Sequence, residues 1–248
     1  MDFRREELLI NLVARHLSEC RHICVGVSSP IPGAAAQLAR AQNAGRTVVN
    51  IIGSRDNNAF TSGAQEMFDC AAQGRIDAFF LGGGQIDGEA NINLVGVGDY
   101  PTVDVRWPGS FGSAFLYYLV PNVILFREEH SRRVLVPKVD FISAPGGSPP
   151  EHYRAGGPKC LITDMAEFDF DREKRRFRLV SVHPGYSAED VFENTGFEYD
   201  QPSIVPQSPV PNDQTLSLIR GPIAEGIAEI YPVFAEKVFG VALENNIS

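Results

Sequence analysis

Near the start of the chain, apolar residues fall at helical spacing. Leu8, Leu9, Leu12, Val13 and Leu17 predict an amphipathic helix over roughly Arg5 to Ser18. Ile23 to Val27 is a short apolar strand. Pro32 to Gln42 is an alanine-rich helix with proline near its first turn, where the fixed φ of proline suits a helix start. Thr47 to Ile52 is β-branched and reads as a buried parallel strand. Ser62 to Gln73 carries Ala64, Met67, Phe68 and Ala71 on one face and is helical, and Ala78 to Leu81 is the next strand. Strand, helix, strand, helix, strand is the signature of a parallel sheet covered by helices.

The second half alternates differently. Ser113 to Leu119 is a short helix, and Val123 to Phe126 and Val134 to Val136 are strands. Phe141 to Pro150 is a loop rich in glycine, serine and proline. Leu161 to Thr163, Phe168 to Phe170 and Phe177 to Val182 read as antiparallel strands, with Asp171 to Lys174 as a hairpin turn. Asp164, Glu167, Asp169 and Asp171 alternate with apolar residues and form the wet side of a strand. Ser187 to Asp190 resembles a capping box for a helix ending at Asn194. Asp213 to Arg220 is a last helix. The expectation is an open, mainly parallel α/β sheet with helices on both faces and a small antiparallel addition in the C-terminal half. Residues 1–221 form that domain, and 222–248 are a tail, partly apolar through Ile223, Ile227, Ile230, Tyr231, Val233 and Phe234, expected either to pack or to dock on a partner.

Between Ala78 and Ala114 two glycine loops follow strand ends. Gly82, Gly83 and Gly84 lead into a polar string that includes Gln85, Asp87, Asn91 and Asn93, and Pro108, Gly109 and Gly112 punctuate the second loop. Loops this close predict one edge of a parallel sheet, the edge where open α/β sheets hold ligands. Glycine admits backbone N–H groups close to a ligand, so Gly109 and Gly112 are expected to leave a ligand room. Two ordinary turns would explain the glycines equally well; the spacing Gln-x-Asp-x-x-x-Asn-x-Asn is not a turn pattern.

Composition narrows the partners. The net charge is -9 and the pI near 5.1, with no basic block except Arg172 to Arg178, which Glu173 and Phe177 interrupt. Nucleic-acid binding needs a positive face and is not expected. Cys20, Cys24, Cys70 and Cys160 are spread without a histidine at finger spacing, so no metal site is expected and reduced thiols in a cytoplasmic protein are. The start lacks the apolar core of a secretory leader, and no stretch is long and apolar enough to span a membrane. No Gly-x-Ser-x-Gly elbow is present. The glycine triplet does not match the dinucleotide fingerprint. His183, at the end of Val180-Ser181-Val182, reads as a turn anchor.

Taken in order, the string GGGQIDGEANIN, the loop RWPGSFGSA and the late VSVHPG resemble the β subunit of family I coenzyme A transferases, in particular the glutaconate type. Gln85, Asp87, Asn91 and Asn93 match that family's first motif, with Ala90 in place of its usual glycine. Pro108, Gly109 and Gly112 match the second, and Ser181 to Gly185 the third. The resemblance runs from about Glu6 to Arg220. It implies an acyl-CoA substrate, with coenzyme A bound as part of the substrate and no tightly held cofactor, contacted by residues of the first two motifs. It also implies an α subunit of similar build, in an αβ heterodimer or α2β2 heterotetramer.

In such transferases a glutamate attacks the thioester, and in the glutaconate type it stands just after the second strand of the β subunit. Here that strand runs into Gly53-Ser54-Arg55-Asp56, and the segment before GGGQID is shorter than the family usually has. Asp56 is the candidate for a displaced nucleophile. A sister branch hydrolytically opens the last ring of a steroid-derived CoA thioester, and there the essential glutamate comes from the α subunit. The leading expectation is CoA transfer between carboxylic acids. Ring-cleaving hydrolysis in steroid degradation is the alternative, and a non-catalytic ligand-binding module on the same fold the second.

Overall fold

The computed structural model describes residues 2–241. In chain order its elements are α1 (Arg5–Arg15), β1 (His22–Val25), α2 (Pro30–Gln42), β2 (Val48–Ile51), α3 (Ala64–Ala72), β3 (Ala78–Leu81), β4 (Gln85–Ile86), β5 (Ile92–Asn93), β6 (Gly96–Val97) and β7 (Val105–Arg106). There follow α4 (Ser113–Leu119), β8 (Asn122–Phe126), β9 (Pro158–Ile162), β10 (Ala166–Asp171), β11 (Arg176–Val182), α5 (Ala188–Asn194) and α6 (Asp213–Leu218), then a π-turn (Ile219–Ile223), α7 (Ala224–Ala228) and α8 (Pro232–Phe239). The chain divides into two compact units: Met1–Met67 with Pro209–Ser248, and Phe68–Ser208.

In the first unit, β1 and β2 pair in parallel from His22–Val48 to Val25–Ile51. The stripe expected on the first helix is buried: Leu8, Leu9, Leu12 and Val13 of α1 face inward, and so does Leu17, which lies in the turn beyond the end of α1. Alanines keep α2 slim, so α1 lies against it. The segment from residue 222, expected to pack or to dock on a partner, packs within this unit: Ile223, Ile227, Ala235 and Val238 are buried, and Tyr231 Oη accepts a hydrogen bond from Ser29 N at 3.2 Å. Of the apolar tail residues, Val233 stays exposed. The last part of that tail, residues 242–248, lies outside the described residues.

A buried carboxylate ties the two ends of this unit. Glu7 is 2% exposed and accepts from Arg220 Nε at 2.6 Å, Arg220 Nη2 at 2.9 Å and Arg4 N at 2.8 Å. Burial alone would raise its pKa, but the Arg220 hydrogen bond and charge, with the Arg4 amide, hold it below the ordinary carboxylate value. Arg220→Met should cost about 2 kcal/mol, because the charged partner is lost while the carboxylate stays buried. Urea unfolding measures this, and a midpoint unchanged from wild type would refute it.

The second unit holds strands in the order β11-β10-β9-β8-β3, with β4-β5 and β6-β7 as separate two-stranded sheets. β3, β8 and β9 run parallel, while β9, β10 and β11 are antiparallel. The parallel run with its antiparallel addition is the α/β architecture the pattern predicts. Along β10, Phe168 and Phe170 point inward and Glu167, Asp169 and Asp171 are half-buried, the expected alternation. Ser187 caps α5 with a full capping box, its Oγ accepting from Asp190 N at 3.1 Å. Val134–Val136 is not a strand of the sheet. It makes one parallel bridge to β4, with Ile86 N donating to Val134 O at 2.7 Å and Val136 N to Ile86 O at 2.9 Å.

Candidate functional site

The polar string after the glycine triplet folds as the β4–β5 hairpin, with Gln85 opposite Asn93 and Ile86 opposite Ile92. Gln85, Asp87, Asn91 and Asn93 are all buried, and an unpaired buried polar group is costly. Each finds partners. Asn93 Nδ2 donates to Gln85 Oε1 and to Gly96 O, both at 2.7 Å. Gln85 Nε2 donates to Asp140 Oδ2 at 3.0 Å, and Asp140 N returns a bond to Gln85 Oε1 at 3.0 Å. Asp87 accepts from Glu89 N at 3.1 Å, Asn91 N at 3.0 Å and Asn91 Nδ2 at 3.1 Å, while Asn91 Oδ1 accepts from Gly146 N at 3.1 Å. The four residues are thus brought together as a network that straps residues 139–146 across the hairpin. Ala90, where the resemblance has glycine, sits between them at φ +60° and receives Tyr117 Oη on its carbonyl at 2.9 Å.

The triplet that precedes the hairpin is tightly flanked. A β-carbon on Gly82 would lie 3.1 Å from Phe126 O and one on Gly83 2.7 Å from Gln85 O, while one on Gly84 would collide with the Trp107 indole. Trp107 therefore carries the second loop, Pro108 to Gly112, onto the first. Gly109, at φ +110° with nothing within 4 Å of a β-carbon, is glycine for its backbone conformation. Gly112 differs from its expected role. Its missing side chain makes room for the Phe68 ring, not for a ligand. Phe68 also meets Phe111 and Phe115 at ring-centroid distances of 5.5 and 5.7 Å. Beside this loop Ser113 Oγ is buried with no hydrogen-bond partner among the described residues.

Asp56 belongs to the first unit, in the turn that follows β2. Gly53 opens that turn at φ +97°, and both Gly53 and Asp56 are exposed. The carboxylate that the fold places at this exit is a different one. Glu229, at the end of α7, accepts from Ser54 Oγ at 2.7 Å and Arg55 N at 2.9 Å. With an oxygen on each donor it holds the turn shut. No local pattern marks it, since it is 175 residues from Ser54.

Two histidines, His130 and His183, serve as anchors in the second unit. His183 is buried, with Nδ1 2.7 Å from Ser208 Oγ and Nε2 3.0 Å from Thr163 O, as a turn anchor should be. His130, although flanked in sequence by Glu128, Glu129, Arg132 and Arg133, is 3% exposed and lies between Thr163 Oγ1 at 2.7 Å and Thr195 Oγ1 at 2.9 Å. Burial pushes its pKa down to about 4, and lowers that of His183. All four cysteines are buried thiols. No helix is long and apolar enough to cross a membrane, among the described residues.

The comparisons with known proteins agree with one another. The chain is 34% identical over 158 residues to the B subunit of glutaconate CoA-transferase from Acidaminococcus fermentans; the match covers 61% of this chain and 58% of that one. It is 32% identical over 160 residues to the cholesterol ring-cleaving hydrolase IpdB subunit of Rhodococcus jostii, covering 63% and 62%. These matches span less than two thirds of either relative. The crystal structure of the decarboxylase AibA/AibB superposes with a TM-score of 0.76 at 25% identity, over 97% of this chain and 100% of that one. A family model described as coenzyme A transferase matches residues 8–194, a stretch that contains both glycine loops, the hairpin network and the buried histidines, and on that match the chain belongs to the coenzyme A transferase family.

Proposed function

We propose that the chain is the β subunit of a two-subunit enzyme of this family, that it acts on an acyl-CoA thioester, and that the reacting carboxylate is supplied by the α subunit. The observation that carries the last point is Gly53. Where the resemblance implies a glutamate, the turn after β2 has a glycine at φ +97°. The nearby side chains are Glu229, with both oxygens engaged, and the exposed Asp56. An attacking carboxylate must be held in near contact with the thioester carbon, and an exposed turn residue such as Asp56 is not held so. The hairpin network fixes the glycine triplet, and through Trp107 the Pro108–Gly112 loop. In this reading Gly82 to Gly84 and Pro108 to Gly109 present backbone to the bound thioester, while Gln85, Asp87, Asn91 and Asn93 keep that backbone in place.

CoA transfer between carboxylic acids is the leading reaction. The absence of the glutamate favours a second one, ring-cleaving hydrolysis of a steroid-derived CoA thioester, in keeping with the similarity to the IpdB subunit. Coenzyme A is part of the substrate and no cofactor stays bound. The assembly is an αβ heterodimer or α2β2 heterotetramer, and the four buried thiols support a cytoplasmic location.

The test uses the co-purified subunits and acyl-CoA, with mass spectrometry of each chain after borohydride treatment. No modification is expected on this chain, and Asp56→Asn is expected to keep most of the activity. A mass shift mapped to Asp56, Glu66 or Glu229 would restore the nucleophile to this subunit. Turnover that requires an added carboxylic acid identifies transfer, and turnover without one identifies hydrolysis.

A further inference from the structure

The one basic block of this acidic sequence, Arg172 to Arg178, is divided by the fold. Lys174 pairs with Asp171 at 3.6 Å, Arg176 with Asp200 at 2.8 Å and Glu198 at 3.5 Å, and Arg178 with Asp169 at 3.2 Å. Arg172 and Arg175 have no carboxylate at ion-pair distance among the described residues, and neither has Arg154. These three cations gather at two glycine pairs. A β-carbon on Gly157 would lie 3.6 Å from both Arg154 Nε and Arg172 Cζ, and one on Gly147 would lie 3.0 Å from Arg175 Nε. We propose that Arg154, Arg172 and Arg175 bind phosphate-ester oxygens, and that their ligand is the phosphorylated adenosine end of the acyl-CoA. This rests on the acyl-CoA reading above.

Three features carry the argument. First, three guanidiniums share a small region without a counter-charge. Burial lowers the Arg154 pKa first, and the charges of Arg172 and Arg175 lower it further. An arrangement of like charges is relieved by a multiply charged anion. Second, donor nitrogens remain on Arg172 and Arg175. Arg154 is fixed by Gly156 O at 3.0 Å, Pro145 O at 2.8 Å and Tyr117 O at 2.9 Å, which orients its plane against the Tyr117 ring. Arg172 directs Nε to Pro158 O and Nη2 to Gly157 O, both at 3.0 Å, and Nη2 also to Pro121 O, leaving Nη1. Arg175 uses Nη2 on Ser148 O and leaves Nε and Nη1. A guanidinium fork with free N–H groups matches phosphate oxygens. Third, Arg175 stands at φ +52°, a conformation unfavourable for a long side chain. Strain of this kind concentrates at ligand clamps.

The full chain, in the assembly in which it purifies, is titrated by calorimetry with coenzyme A, adenosine 3′,5′-bisphosphate and inorganic pyrophosphate. The bisphosphate should bind more tightly than pyrophosphate. Arg172→Gln with Arg175→Gln should weaken its binding about tenfold or more and flatten the salt dependence, while Arg176→Gln, whose charge is already paired, should not. Circular dichroism melts establish that each variant folds, and Arg175→Gln alone carries the test if the double variant does not. Wild-type affinity in a folded arginine variant would overturn the site and leave the acyl-CoA reading standing. Pyrophosphate binding as tightly as the bisphosphate would overturn the assignment to coenzyme A. If coenzyme A fails to bind the wild-type assembly, both fall.

Discussion

Between pH 6.5 and pH 4 the protein should lose about 3 kcal/mol of stability through His130 alone. The unfolded imidazole titrates near its ordinary value of 6.5, whereas burial lowers the folded value to about 4. A depressed folded pKa means that the native state favours the neutral ring. The stabilisation is complete above pH 6.5, declines as the unfolded state takes up its proton, and is fully lost below pH 4. At 1.36 kcal/mol per unit the difference gives about 3 kcal/mol. The groups facing the ring are Thr163, Thr195, the Val191 backbone, Phe168 and His183; Val191 favours the charged ring but burial outweighs it, and no carboxylate stands ready to receive the imidazolium. Both hydroxyls donate elsewhere, Thr195 Oγ1 to Val191 O at 2.7 Å and Thr163 Oγ1 to Ala166 O at 3.2 Å, so each can accept from the ring, and it is burial that disfavours the imidazolium. Urea unfolding at pH 7, 5 and 4 should show the loss, and His130→Asn should be less stable at pH 7 with a flatter decline. Glu7 weakens only below its ordinary value near 4.5 and remains in both proteins, so it cancels in the comparison. An equally steep decline in His130→Asn would refute the assignment.

Gly112→Val should destabilise the second unit by about 3 kcal/mol, and turnover should fall because the loop is displaced. The new β-carbon would occupy the place of the Phe68 ring, and cores resist such overpacking. Valine branches at the same carbon and cannot swing clear. The ring is also held between Phe111 and Phe115. Phe68→Ala in the same chain opens that space, so the pair should be less destabilised than the two single changes summed, by at least about 1 kcal/mol in a double-mutant cycle. Strict additivity would show that Gly112 and Phe68 do not compete. Gly109→Ala bears separately on the backbone, because open space surrounds it and only its φ of +110° resists a side chain.

The sequence is informative wherever the signal is local. The alternation of Phe168 and Phe170 with Glu167, Asp169 and Asp171 predicts both the strand and its inward face, because side chains alternate with period 2 whatever lies opposite. Ser187 and Asp190 predict a cap three residues long, and the cap is there. Signals that depend on distant partners are read less well. Val134–Val136 is apolar enough for a strand, yet its partner is the two-residue β4. Gln85, Asp87, Asn91 and Asn93 attract attention as ligand contacts, but their bonds run to one another, to the adjoining backbone at Glu89 and Gly96, and to residues 139–146, which the spacing alone does not reveal. Ile223 and Ile227 are plainly apolar, and only the fold shows that this same unit buries them. Glu229 carries no mark at all until the fold brings it to Ser54.

The bonds that α1 makes with the last part of the chain set a delay during synthesis. Glu7 meets Arg220, Asn11 Nδ2 donates to Pro209 O and Arg4 Nη1 to Lys237 O, the first of these spanning 213 residues. Residues 68–208 leave the ribosome as one continuous stretch, while the unit begun by α1 stays open until they have passed. At bacterial-like elongation rates the wait for Arg220 is roughly 10 to 40 seconds. Throughout it the Glu7 carboxylate and the adjoining face of α1 lack their partners, available to chaperones and to neighbouring nascent chains. Codons that slow the ribosome after residue 208 would lengthen that exposure, whereas the same codons between β3 and β11 would delay both units together.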